Sequence, residues 1–78
     1  MEMNDITLTD IETKIFQLID KDYTIFEDKK DIFKRVLQFN PVSKLYIVVR
    51  FDTVKEENEI LCITKKPTTA SKCYNDAL

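Results

Sequence analysis

The sequence predicts an α+β fold: an N-terminal helix packed on a small antiparallel β-meander of three or four strands, with a short C-terminal helix or a frayed end after it. Three observations carry this reading. Apolar residues recur at helical spacing near the start of the chain. The stretch KLYIVVRFDTVKEENEILCITKKP, Lys44 to Pro67, holds two apolar runs around a charged turn. A helix followed by a run of strands is the element order of α+β domains, in which an antiparallel sheet is covered on one face. At 78 residues the chain is expected to form a single domain, 1–78.

The helix is expected over residues 9–20. Thr9 followed by Glu12 has the spacing of a capping box, and Asp10 and Glu12 sit where the helix dipole favours negative charge. Ile11, Ile15, Leu18 and Ile19 then form one apolar stripe, with Phe16 beside it. Asp20-Lys21-Asp22 breaks the pattern. Tyr23-Thr24-Ile25-Phe26 is rich in β-branched and aromatic residues and reads as a short strand, and Glu27 to Asp31 as a charged turn. Ile32 to Phe39 fits a helix face through Ile32, Phe33, Val36 and Leu37, and equally an alternating strand through Arg35, Leu37 and Phe39. Asn40-Pro41 ends it either way, because the residue before proline is pushed out of the helical region.

Leu45 to Asp52 alternates as a strand. Leu45, Ile47, Val49 and Phe51 are uniformly apolar and are expected to face the core. Tyr46, Val48, Arg50 and Asp52 are mixed and are expected to face outward. Val54 to Asn58 is the turn, and the return strand covers 59–66. From Pro67 the composition turns to Thr, Ser and Lys, with Ser71 to Leu78 as the short helix or frayed end.

Composition removes several chemistries. The chain has no histidine, which excludes imidazole mechanisms, and no glycine, which excludes phosphate-cradling glycine loops. Turns must then be made by Asn, Asp and Pro. Cys62 and Cys73 are too few for a disulfide framework or a cysteine zinc site, and Cys62 reads as a small core residue. No cofactor and no metal are expected. There is no signal-peptide pattern and no apolar run near the roughly 20 residues needed to span a bilayer. The expected location is the cytoplasm of a bacterial or host cell, with no membrane partner. The net charge of −2 argues against nucleic-acid binding by bulk charge. Yet the charge is unevenly spread: residues 1–31 carry nine acidic side chains against four lysines, and residues 32–78 carry eight Lys/Arg against five acids.

ITLTDIETKIFQLID followed by YTIFEDKK, then YIVVRFD and NEILCITKKPT, resembles a group of small phage-associated nuclease-like domains related to barnase, EndoU, colicin-type RNases and RelE-type mRNA interferases. The resemblance runs from Ile6 to Thr69. It implies a strand for Ile32 to Phe39, and metal-independent RNA cleavage by attack of the ribose 2′-hydroxyl on the neighbouring phosphate. That chemistry needs a base, an acid and cations on the phosphorane, which RelE-type relatives are expected to supply with Lys, Arg and Tyr. On this basis Arg50, Lys65 and Tyr74 are the catalytic candidates. Arg35, Lys66, Thr68, Thr69 and Lys72 are the RNA-binding candidates, with Thr64 as a further hydroxyl. Cys62 stands where the group has threonine, and Lys21-Asp22 where it has Pro-Asp.

Each candidate also has a plain structural role. Arg50 and Lys72 can be solvated surface, Lys65-Lys66 a guard against strand pairing at an edge, and Tyr74 a packing anchor. Lys65 and Lys66 end one strand of the hairpin while Arg50 lies near the turn of the other, so Arg35 is the companion of the lysines if the two sites do not meet. Two other classes of function fit. One is a catalytically inactive phage-encoded protein that binds and inhibits a host defence protein, with an antitoxin or host target as partner. The other is a subunit that dimerises through an open sheet edge.

Overall fold

The computed structural model describes residues 6–16 and 24–77. The order is α1 (Leu8–Phe16), β1 (Thr24–Lys30), β2 (Phe33–Asn40), β3 (Leu45–Asp52), β4 (Glu57–Thr64) and α2 (Pro67–Asn75). The four strands form an antiparallel sheet in the order β1-β2-β3-β4, each paired with its neighbour in sequence. This is the expected α+β arrangement, with four strands. No helix of the described residues is long and apolar enough to cross a membrane.

The cap of helix α1 lies two residues before the expected one. The Thr7 hydroxyl accepts from the Asp10 amide at 3.2 Å, and the Asp10 carboxylate accepts from the Thr7 amide at 2.8 Å. The capping box is therefore Thr7–Asp10, and Thr9 lies inside the helix. Leu18, Ile19 and Tyr23, expected in the helix and the first strand, lie outside the described residues.

The ambiguous segment resolves as strand β2, Phe33–Asn40, with Ile32 in the turn before it. Its partners settle what its own periodicity could not: Val36 sits opposite Val49, and Leu37 opposite Val48. Glu27 to Lys30 is not a turn. It extends β1, and only Asp31 and Ile32 connect the first hairpin. Three connecting residues take positive φ in this glycine-free chain: Asp31 (54°), Lys44 (63°) and Glu56 (56°). Each carries a Cβ penalty of roughly 1–2 kcal/mol that glycine would avoid. Side chains hold the turns in compensation. Asn40 Oδ1 accepts from the Val42 and Ser43 amides, and Asp52 Oδ1 accepts from the Val54 and Lys55 amides. The Thr53 hydroxyl and amide both donate to the Ile32 carbonyl, which ties the β3–β4 turn to the β1–β2 turn.

Both helices contact the sheet, α2 against β2, β3 and β4 and α1 against β1 and α2. They cover the face that carries Leu37, Phe39, Tyr46 and Val48, all buried, together with Ile11, Ala70 and Tyr74. The expected core face of β3 is thus reversed. Tyr46 and Val48 point into the core, while Leu45, Ile47, Val49 and Phe51 are only half-buried. Both faces of β3 are apolar, so strand alternation defines two faces without saying which one the helices cover. An irregularity in the β3–β4 pairing at Val48/Val49 lets consecutive residues Leu61 and Cys62 both pack against the core.

Candidate functional site

The candidate residues fall into three places. The first is inside the protein. Arg35 is 2% exposed. Its Nη1 donates to the backbone carbonyls of Tyr74 (2.9 Å) and Asn75 (3.4 Å), its Nη2 pairs with Asp28 at 3.2 Å, and its guanidinium lies 4.2 Å from the centre of the Tyr74 ring. A cation on the last carbonyls of α2 complements the negative end of that helix. The Tyr74 hydroxyl completes the cluster by donating to the same Asp28 oxygen at 2.7 Å. Burial, then the hydrogen bond and charge of Asp28, push the Tyr74 hydroxyl well above its ordinary ionisation range. Arg35 and Tyr74 therefore fasten α2 to the sheet, and neither offers its side chain to RNA.

Arg50 occupies the second place, at the turn end of the sheet. It donates to Glu59 Oε2 across the β3–β4 pair at 2.8 Å and lies 5.3 Å from the centre of the Phe33 ring. These residues, with Asp52 and Glu57, line an open cleft of about 260 Å³. Carboxylates outnumber cations in it, and the one guanidinium is already matched by Glu59, so the cleft repels rather than gathers phosphate. Glu59 beside Arg50 has the chemical make-up of a base next to a cation.

The third place is the opposite end of the sheet. Thr64 closes β4 opposite Tyr46. Its hydroxyl accepts from the Lys66 amide at 3.1 Å and so fixes the chain as it turns into α2. Lys65, Lys66, Thr68, Thr69 and Lys72 follow, all exposed. Pro67 occupies the first turn of α2, no side chain caps that helix, and its first turn carries no acid. Lys44, exposed in the β2–β3 turn, lies at the same end because Asn40 and Leu45 pair beside it. Residues 32–51 and 60–75 contain no Asp or Glu. The acid that reaches this end is Glu12 of α1, whose charge adds to burial in raising the Tyr46 pKa.

Arg50 and the lysine pair do not share a site. Lys65 lies six residues along the chain from Glu59, the partner of Arg50, a separation of about 20 Å at ~3.3 Å per residue. Arg35 is no companion to the lysines either, since it sits opposite Arg50 in the β2–β3 register and is buried. Sequence reasoning missed Lys44, although the Asn40-Pro41 turn signal next to it placed it at a strand end. It also missed Asp28, which had been assigned to a turn.

Among the described residues no group of three or more His, Cys, Asp or Glu could hold a metal ion. Comparison of the chain with family models, curated proteins and solved structures finds no match.

Proposed function

We propose that this protein is a nuclease-like RNA-binding domain that grips phosphates at the basic end of its sheet. The supporting observation is the exposed set Lys44, Lys65 and Lys66, gathered where β4 turns into an α2 N-terminus that no side chain caps, with Lys72 exposed further along that helix in its last turn. Helix N-termini and lysines both favour phosphate oxygens, and the Thr68 and Thr69 hydroxyls sit beside them as donors. The geometry supports binding over cleavage. Of the three side chains expected to share the chemistry, Tyr74 is buried, Arg50 is paired with Glu59 and Lys65 is at the other end of the sheet.

The test is single-stranded RNA binding at several salt concentrations, with the same RNA incubated separately with protein and chelator to look for cleavage. Three phosphate contacts predict a log–log salt slope of about −2. Lys65→Ala with Lys66→Ala should weaken binding and flatten the slope by about 1.4. Affinity unchanged by salt and by this pair of substitutions overturns the reading and moves the assignment to a protein that binds and inhibits a host protein. Cleavage that survives chelator and is lost in Arg50→Ala moves it to a metal-independent ribonuclease.

A further inference from the structure

The chain has two cysteines, and the fold brings them together from different elements. Cys62 lies on β4 opposite Val48, which is fully buried, so its side chain faces the helices. Cys73 lies on α2, three residues after Ala70 and next to Tyr74, the two buried residues of that helix. Both cysteines pack against the core, and both are free. Their thiols are hydrogen-bonded neighbours, so the two sulfurs start within reach of one another. Neither is sealed off. Each residue is only half-buried, and β4 is an edge strand with no further strand beyond it to enclose the pair.

Small apolar side chains would fill both positions equally well. What cysteine adds is oxidation chemistry, and here it falls across a junction. Arg35 holds the last carbonyls of α2 to the sheet, while no side chain caps its start. A bond between Cys62 and Cys73 closes a ring around the whole turn from β4 into α2, with Lys65, Lys66 and Lys72 inside it.

We propose that Cys62 and Cys73 form a redox latch: hydrogen peroxide joins them in a disulfide that locks α2 to β4, and a thiol reductant releases it. One sulfur, as thiolate, attacks a peroxide oxygen. The O–O bond breaks, the hydroxide that leaves takes up the thiol proton as water, and the sulfur becomes a sulfenic acid. The second sulfur attacks the sulfenic sulfur. The S–O bond breaks, a second water leaves with the second thiol proton, and the S–S bond forms. Two thiols thus lose two electrons and two protons, and one peroxide becomes two waters. Burial, then the charge and hydrogen bond of Cys62, push the Cys73 thiol up to about 11. It holds little thiolate at neutral pH, so the latch closes slowly, under sustained oxidant. The inference does not rest on RNA binding, and its test contains no RNA.

The full chain, kept reduced or treated with hydrogen peroxide near neutral pH, is compared by intact mass, peptide mapping and thermal melting. The expected product is a monomer about 2 Da lighter, with Cys62 joined to Cys73. Closing a loop of about a dozen residues should raise the melting temperature by about 10 °C, and dithiothreitol should return it to the reduced value. Cys62→Ala and Cys73→Ala, each alone, should gain nothing from peroxide, and Cys62→Ser gives the same reading if an alanine chain fails to fold. Two thiols still free after peroxide, a sulfinic acid at either sulfur, or chains joined to each other through disulfides overturn the proposal. So does a disulfide between Cys62 and Cys73 that leaves the melting temperature where it was.

Discussion

The two faces of this sheet are built from neighbouring residues of the same strands and have opposite fates. On β3, Val48 is fully buried while Val49, the next residue, is partly open. On β2, Leu37 is fully buried while Val36 beside it is half-exposed. The covered face carries the chain's one buried charge among the described residues, Arg35. The open face carries exposed isoleucines. Hydrophobicity therefore does not distinguish the faces. What distinguishes them is α2, which needs a sheet face holding Tyr74, Ala70 and a cation for its last carbonyls. The polar cluster that looks out of place in a core is what selects the core.

The largest expected effect breaks the comparison directly. Val48→Asp places an unpaired carboxylate under the helices and should cost about 4 kcal/mol, whereas Val49→Asp should cost the fold less than about 1 kcal/mol. Thermal or urea melts of the two variants measure this, and equal losses would mean that the faces are not different environments. Next comes Arg35→Met, which keeps much of the stem but leaves the Tyr74 carbonyl and Asp28 without the cation. Asp28 is partly open to water, so the expected loss is about 3 kcal/mol, at the low end for a broken buried pair. If Arg35→Met instead melted at the wild-type temperature, the cluster would not be what holds α2 on this face. Tyr74→Phe is milder. It retains the ring under the guanidinium and removes only the hydrogen bond to Asp28, for about 1 kcal/mol by the same melts.

The smallest effect is a pH dependence. Burial, followed by the charge and hydrogen bond of the neighbouring Cys62 thiol, pushes the Cys73 thiol from its ordinary 9.0 up to about 11. A raised thiol pKa means that the unfolded chain releases this proton first. The associated stability is complete below pH 9 and is lost as pH rises towards about 11. Tyr74 is raised from 10.0 in the same direction and adds to the decline above that pH. Urea titrations at pH 8 to 11 should show stability falling with pH, and Cys73→Ala should reduce the part of the slope that begins near pH 9. A slope that is the same in Cys73→Ala would remove Cys73 from the covered face's ionisation.

Much of the fold was legible. Alternation in Leu45 to Asp52 located β3, the return strand was found to within two residues at each end, and Asn40-Pro41 marked a real turn. The misreadings share one physical cause, which is that the deciding partner sits on another element, outside the residues that set each local pattern. Phe33–Asn40 is a strand because β1 and β3 flank it. EDKK is strand rather than turn because Asp28 is needed opposite Arg35 and beneath Tyr74. The face of β3 was misassigned because Arg50, at its exposed end, made the Tyr46–Val48 side look like the outer one, and no local pattern announces a buried arginine. At the candidate site, the exposed lysines could be read from their charge and from the proline that follows them. The loss of Arg35 and Tyr74 to the interior could not, since their partners lie 39 and 46 residues away.

The Asn75 side chain closes the molecule: its Oδ1 accepts from the Ile6 amide at 2.8 Å and its Nδ2 donates to the Ile6 carbonyl at 2.9 Å. This pair of hydrogen bonds between residues 69 apart has a kinetic meaning. Every strand pairing in the sheet is local, so the meander can zip hairpin by hairpin with little loop entropy to overcome. The joining of Ile6 to Asn75 has the longest loop to close and depends on α2 having docked. Synthesis delivers α2 after the sheet, so until then the nascent meander exposes Leu37, Val48 and an arginine awaiting its carbonyls. A ribosome stalled before α2 would therefore present a sheet with two apolar faces instead of one.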